Sequence, residues 1–176
     1  AAHELGLPPS RIRVMHTHTE KVPNTTPTAA SSGSDLNGAA VADACRKITE
    51  RMRPIAAHML DCSEQDVEFA AGEVRGPKGA LPFASVAQNC WAQHVPLSAT
   101  GFWATPGVAY DRAKGQGTPF YYFAYGAAVS EVEVNGLTGE HRVRRVDILH
   151  DVGNPLVPSI DRGQVEGAFI QGMGWV

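Results

Sequence analysis

The longest regular pattern in the sequence covers residues 38–60, where apolar and small side chains recur at helical spacing. Such spacing predicts an amphipathic helix whose apolar stripe must pack against other elements of the fold. Pro54 lies inside the pattern, has no N–H to donate and is expected to kink the helix or split it into two. The residues of the stripe are Ala40, Val41, Ala44, Ile48, Met52, Ile55, Ala56 and Met59.

Shorter signals stand on either side of this helix. They predict a helix at residues 1–5, a strand at residues 11–15, a helix start at Ser63, a strand at residues 67–69 and a second amphipathic helix at residues 82–91.

A β-hairpin is predicted over residues 120–152. Residues 120–134 are aromatic and β-branched, residues 135–139 have turn composition, and residues 141–149 alternate. The alternation assigns Val143, Arg145, Asp147 and Leu149 to one face, and Arg142, Arg144, Val146, Ile148 and His150 to the other. Helices and hairpin together predict an α+β fold, in which a mixed sheet with a long β-hairpin packs against helices. We expect residues 1–176 to form a single partial domain, truncated at both ends.

Composition and charge restrict the function classes. With 176 residues, 43% of them apolar, the chain can bury one sizeable core. Its 15 basic and 18 acidic residues give a net charge of -3, which favours neither nucleic acid nor an anionic membrane as a partner. No apolar run approaches the roughly 20 residues of a membrane span. We therefore expect a cytoplasmic protein.

Metal-ligating residues are sparse in the sequence. Cys45, Cys62 and Cys90 are widely spaced, which favours reduced thiols over a disulfide framework, a zinc site or an iron–sulfur site. His16 and His18 would share one face of a strand, but no third ligand is near them in sequence. No protein-held metal site is predicted.

Glycines recur through the last segment of the chain. Asp161 and Gln164 resemble a capping box at the start of a final helix that runs to the chain end. Gly163, Gly167, Ile170 and Gly174 form one stripe along it. With Gly172, the four glycines cost roughly 3–4 kcal/mol of helix propensity relative to alanine. Close approach of another backbone or a ligand to this face is the usual compensation.

A second ligand candidate is the loop at residues 22–35. Its small residues, hydroxyl groups and backbone N–H groups are materials for an anion cradle, and a helix capped by Ser34 or Asp35 would add its positive end. On the residues alone, an ordinary Ser/Thr-rich capping loop explains this segment at least as well as an anion-binding loop does. Ala29 and Ala30 leave space beside a bulky ligand.

The remaining candidates stay open on the residues alone. Gln164 suits a cap and a ligand contact equally, while Glu166 suits the helix dipole better than general base catalysis. The aromatic residues 118–125 are more typical of a core than of a substrate wall. Glu131 and Glu133 share a strand face, with nothing to fix a partner for acid–base work. No catalytic residue is assigned.

Three segments of this sequence resemble consecutive motifs of the xanthine dehydrogenase family of molybdenum hydroxylases, in the C-terminal part of the molybdopterin-binding subunit or domain. They are residues 22–38, VPNTTPTAASSGSDLNG; residues 123–134, FAYGAAVSEVEV, with residues 137–140, LTGE; and residues 161–174, DRGQVEGAFIQGMG. Because long motifs occur in the family's order, the resemblance covers nearly the whole chain.

The resemblance implies a set of cofactor-binding residues. Ala30 matches the alanine beside the molybdenum, with Ala29 next to it. Thr28, Ser31 and Ser32 match the loop that holds the pterin and its phosphate, and Gln164 matches a glutamine that hydrogen-bonds the cofactor. The family's catalytic glutamate belongs to a Gly-Glu-Pro-Pro motif that this chain lacks.

The resemblance also implies an activity and partners. The parent enzyme would hydroxylate hypoxanthine or xanthine to urate at a molybdenum–molybdopterin centre and pass electrons through Fe-S clusters and FAD to NAD. The expected partners are the remaining molybdopterin-domain segments, the Fe-S and FAD domains or subunits, and a purine substrate. Two alternatives remain: an aldehyde- or N-heterocycle-oxidising relative, and a non-catalytic ligand-binding or assembly module. The isolated chain is expected to be inactive.

Overall fold

The structure is a computed structural model that describes residues 1–21, 29 and 32–175. The chain divides into two compact units, residues 1–106 and residues 107–176. Helices and small antiparallel sheets make up both units, which confirms the α+β class. The described strands form three separate antiparallel sheets, whereas the sequence predicted one mixed sheet.

The first unit is built around one long helix. Its helices are α1 (Ala2–Leu5), α2 (Ala39–Leu60) and α3 (Phe83–Ala92). The predicted long helix is therefore confirmed, and α2 continues through Pro54 without being split. Its apolar stripe forms the core with α3 and the adjoining strands. The buried members of this core are Met52, Ala56, Ala57, Leu60, Val67, Val74, Val86 and Cys90.

A three-stranded antiparallel sheet covers part of this core. Its strands are β1 (Glu68–Ala70), β2 (Glu73–Gly76) and β3 (Gly79–Pro82). Ser63 caps the short 3-10 turn Glu64–Asp66 by accepting a hydrogen bond from Gln65 N–H at 3.3 Å. The predicted helix start, strand and second amphipathic helix of this region are all confirmed.

An irregular segment, residues 96–102, runs along α2, and we call it the strap. Arg51 Nη1 donates to the carbonyl oxygens of Ser98 at 2.9 Å and Pro96 at 3.3 Å. One turn nearer the helix start, Lys47 Nζ donates to Thr100 O at 3.2 Å. Polar side chains of α2 therefore satisfy backbone carbonyls that have no strand partner.

Two local predictions in the first unit are wrong. Residues 11–15 belong to no strand among the described residues, because Pro9–Arg11 fold into a 3-10 turn that uses the local hydrogen bonds. Ser34 and Asp35 do not cap the long helix. They lie inside a π-helical turn, Ser34–Gly38, which has Gly33 as its N-cap residue and continues directly into α2.

The second unit contains two β-ribbons and a helix. Strands β4 (Ala109–Asp111) and β5 (Gln116–Thr118) form one ribbon, while β6 (Gly126–Val134) and β7 (His141–His150) form the long hairpin. Helix α4 covers Pro158–Met173. The hairpin is confirmed, although its first strand begins at Gly126. None of the described residues from 107 to 175 is buried.

The long hairpin contains a β-bulge that the sequence did not predict. Glu131 pairs with Arg145, but Val132 pairs with Val143, so Arg144 is the extra residue in β7. Paired residues share a face, which moves Val143 to the face of Val146. The predicted face assignment is therefore wrong at Arg142 and Val143, since it assumed unbroken alternation.

Two further predictions in the second unit are wrong. Asp161 is not the N-cap of the last helix, because Pro158, whose fixed φ suits a first helical position, starts α4 earlier. The N–H of Asp161 already donates to Val157 O at 3.2 Å. The aromatic residues 120–125 precede β6 and do not fill a core, since Phe120 and Tyr125 are 65% and 71% exposed.

Candidate cofactor site

The loop candidate is represented by Ala29 and Ser32. Ser32 Oγ donates a hydrogen bond to Ala29 O at 2.9 Å, which connects the two residues directly. Thr28, Ala30 and Ser31 lie outside the described residues. The Ser32 hydroxyl is thus engaged with the backbone of its own loop.

Ser32 is also joined to the helix that follows. Leu36 N–H donates to Ser32 O at 3.0 Å, and Leu36 belongs to the π-helical turn that continues into α2. The position of Ser32 therefore depends on the N-terminal end of α2. Backbone N–H groups at a helix start favour an anionic ligand, such as a pterin phosphate.

Gln164 lies in the second unit, on α4. Its side chain is exposed, and its amide has no hydrogen-bond partner among the residues that the structure describes. Within the same described part, a Cβ added at Gly163 or Gly167 would meet no atom within 4 Å. Gly167 follows Gln164 by one helical turn, so a ligand at the amide can also approach bare helix backbone. Both observations fit a cofactor contact better than the predicted capping box.

Glu166 is held by a neighbour on the same helix. Arg162 Nε donates to Glu166 Oε1 at 2.7 Å, and this hydrogen bond raises the pKa of the Arg162 guanidinium. Such an i,i+4 pair on an exposed helix face suits a structural role.

An open apolar cavity of about 510 Å³ lies between the long hairpin and α4. Val132 and Val143 line it from the hairpin, and Phe169 and Met173 line it from the helix. The β-bulge places Val143 on this side, so the hairpin presents its apolar face to α4.

The thiols are not arranged for chemistry. Cys45, Cys62 and Cys90 are free, and burial raises the pKa of the Cys45 and Cys90 thiols. A raised pKa keeps a thiol protonated and unreactive.

Within the described residues, no group of three or more His, Cys, Asp and Glu side chains is placed to hold a metal ion. No described helix is long and apolar enough to cross a membrane.

The chain as a whole matches one family model. The model, described as a molybdopterin cofactor-binding domain, covers residues 1–176. The chain therefore belongs to the molybdopterin cofactor-binding domain family.

Among curated proteins, the similar relatives are xanthine dehydrogenases. The chain is 48% identical to the xanthine dehydrogenase of Dictyostelium discoideum over 178 residues, which is 99% of this chain and 12% of that protein. It is 47% identical to the enzyme of Oryza sativa subsp. japonica over 175 residues, 99% of this chain and 11% of that protein. The chain thus spans about an eighth of the length of these relatives.

The fold is also found in a solved enzyme. The CO dehydrogenase of Oligotropha carboxidovorans matches with a TM-score of 0.72 and 29% identity, covering 94% of this chain and 20% of that chain. The predicted family membership and fold class are confirmed by these similarities. The individual cofactor-binding residues remain predictions.

The sequence did not predict which side chains of α2 hold the strap. Asp43, Lys47 and Arg51 all contact the strap, but they resemble an ordinary solvated helix face. Their i,i+4 spacing was the available signal, and it indicates only that the three side chains share a face.

Proposed function

We propose that this chain is a segment of the molybdopterin-binding part of a xanthine-dehydrogenase-like molybdenum hydroxylase, and that the whole cytoplasmic enzyme oxidises hypoxanthine and xanthine to urate. The observation that carries this proposal is 48% identity over 99% of the chain to a protein named xanthine dehydrogenase. Similarity at that level over nearly the whole chain supports a shared cofactor and a shared reaction class.

Thr28, Ala29, Ala30, Ser31, Ser32 and Gln164 are the residues proposed to hold the cofactor. Small side chains at Ala29 and Ala30 would make room beside the metal, while Ser32 would present its backbone groups to the pterin phosphate. The free amide of Gln164 can both donate and accept a hydrogen bond. When bound, the molybdenum centre supplies the insertion of a water-derived oxygen into a C–H bond.

The rest of the enzyme is proposed to supply the other parts. These are the remaining molybdopterin-domain segments with the catalytic glutamate, and Fe-S and FAD domains or subunits that pass electrons to NAD. One alternative is an oxidase or dehydrogenase of aldehydes or N-heterocycles, because the cofactor residues do not choose the substrate. Another alternative is a non-catalytic binding or assembly module.

Two measurements separate these functions. The first is the reading frame downstream of Val176, where a Gly-Glu-Pro-Pro motif supports the enzyme and an early stop codon supports the module. The second is turnover by the full-length protein with xanthine, an aldehyde and an N-heterocycle in parallel. A protein that holds molybdenum but prefers the aldehyde would overturn the purine assignment.

Gln164→Ala tests the cofactor contact in the full-length enzyme. We expect a lower molybdenum content, because the amide has no competing partner within the described structure and its loss removes only a ligand contact. Gln171→Ala is the matched control, since Gln171 is another exposed amide on α4, seven residues further along. Equal molybdenum content in both variants would contradict the role of Gln164.

A further inference from the structure

Two charged side chains hold the strap near the start of α2. Asp43 Oδ2 accepts hydrogen bonds from Phe102 N–H at 3.0 Å and from Lys47 Nζ at 2.6 Å. Lys47 also donates to Thr100 O at 3.2 Å, so one lysine joins the carboxylate to the strap backbone. Asp43 is thus the centre of a three-part junction between helix and strap.

Charge keeps this junction formed at neutral pH. The hydrogen bonds from Lys47 and from Phe102 N–H hold the pKa of the Asp43 carboxyl below its ordinary value. A carboxylate that accepts a lysine and a backbone N–H forms charge-assisted hydrogen bonds, which are stronger than neutral ones.

The junction lies on the helical path that leads from the cofactor loop. The π-helical turn Ser34–Gly38 enters α2 directly, and Leu36 N–H holds Ser32 O at 3.0 Å. Asp43 stands about one helical turn after the first residue of α2. A displacement of this end of α2 therefore also displaces Ser32, because continuous helical hydrogen bonds connect them.

We propose that Asp43 is a positioning residue for the molybdopterin cofactor. By holding the strap against the first turns of α2, it fixes the helix start that positions Ser32. This inference rests on the proposed cofactor role of Ser32. Asp43 acts through the backbone, and no contact between its side chain and the cofactor is implied.

The test uses the full-length enzyme, produced in a host that makes the cofactor. Asp43→Ala removes the carboxylate oxygen that accepts both hydrogen bonds, and we expect the molybdenum content per protein to fall about threefold to tenfold, the range for losing an ordinary hydrogen bond. Asp43→Asn keeps one carbonyl acceptor for Phe102 N–H, so we expect it to restore part of the content.

Arg51→Gln is the matched control. Arg51 holds the same strap by two hydrogen bonds, but it does so two helical turns further from the cofactor loop. Hydrogen exchange of apoprotein, prepared without molybdate, gives a readout that is independent of activity. We expect faster exchange of residues 32–38 in Asp43→Ala and unchanged exchange there in Arg51→Gln.

The outcomes are distinct. If the wild-type enzyme holds no molybdenum, the proposed function fails and this inference fails with it. If the wild type holds molybdenum, but Asp43→Ala and Arg51→Gln change content and exchange to the same extent, Asp43 has only a general structural role. A selective loss in Asp43→Ala, partly restored in Asp43→Asn, supports the positioning role.

Discussion

A β-carbon placed on Gly101 would lie 1.8 Å from the carbonyl oxygen of Ala40, so the strap and the first turn of α2 touch backbone to backbone. No side chain fits between the two segments. The strap therefore follows the helix closely enough for short side chains such as Asp43 to reach its amides.

Gly101→Ala should detach the strap, because a methyl group cannot share space with a backbone carbonyl. Overpacking of this kind costs about 1–3 kcal/mol. Hydrogen exchange of residues 96–102 in the full-length enzyme measures the effect. Gly38→Ala is the control: its added Cβ meets no described atom within 4 Å and its backbone is helical. That variant should be about 0.5–1 kcal/mol more stable, and faster strap exchange in it would contradict this account.

The strap should stay attached under mildly acidic conditions. Since the folded pKa of Asp43 lies below the ordinary 3.8, its contribution is complete above that value and is lost as pH falls through the lower folded pKa. The ratio of strap exchange in Asp43→Asn to that in the wild type should therefore be constant from about pH 8 to about pH 5. A ratio that approaches unity between those values would show that another group controls the attachment.

The core of the first unit should be sensitive to cavities. Met52 is 1% exposed and packs within the α2 stripe, so Met52→Ala should destabilise the fold by about 2–5 kcal/mol. Met15→Ala is the matched control, because Met15 is 69% exposed and its loss should change stability by less than about 0.5 kcal/mol. Denaturant unfolding of the two variants measures the difference, and similar values would place the core elsewhere.

Glycine-to-alanine substitutions on the two sides of α4 should differ in their effect on the molybdenum content of the enzyme. Gly167→Ala and Gly172→Ala both add about 1 kcal/mol of helix propensity, and neither added Cβ meets a described atom within 4 Å. Gly172, however, lines the apolar cavity, while Gly167 lies one turn from Gln164. We expect only Gly167→Ala to lower the molybdenum content of the full-length enzyme. An equal fall in molybdenum content in both variants would contradict a cofactor contact at the glycine stripe.

The isolated 176-residue chain should bind cofactor poorly and should not oxidise xanthine. Its second unit has no buried residue among those described, so little apolar burial holds the long hairpin. Hydrogen exchange should be slow in α2 and fast in β6 and β7. Robust xanthine oxidation by the purified chain, or equal protection of hairpin and helix, would refute this expectation.

Periodicity predicted the elements that depend on burial or pairing along one chain segment. The helix Ala39–Leu60 and the hairpin of β6 and β7 were both predicted, because each repeats one pattern over many residues. Helix starts were less predictable. Pro158 and Gly33 decide where α4 and the π-helical turn begin, whereas Asp161 and Ser34 had the more typical capping side chains.

The parts of the site that could not be predicted depend on contacts distant in sequence. The strap has no periodic pattern, and its partners on α2 lie about 50 residues earlier in the chain. Ser32 and Gln164 were named through the family motifs. The residues alone indicated a loop and a helix suited to a ligand, and the motifs specified which ligand.

Because Arg144 is an extra residue, the alternation of side chains between the two faces of β7 shifts by one position at the bulge. Odd-numbered residues His141 and Val143 face the same way as even-numbered Val146 and Ile148, because the bulge resets the alternation between them. Deleting Arg144 would remove the bulge and leave Val146 and Ile148 on the face of Val143, because ordinary alternation would then run through the whole strand. Loss of the bulge residue therefore preserves both faces of β7, whereas loss of a residue elsewhere in the strand would invert the side chains on one side of the deletion.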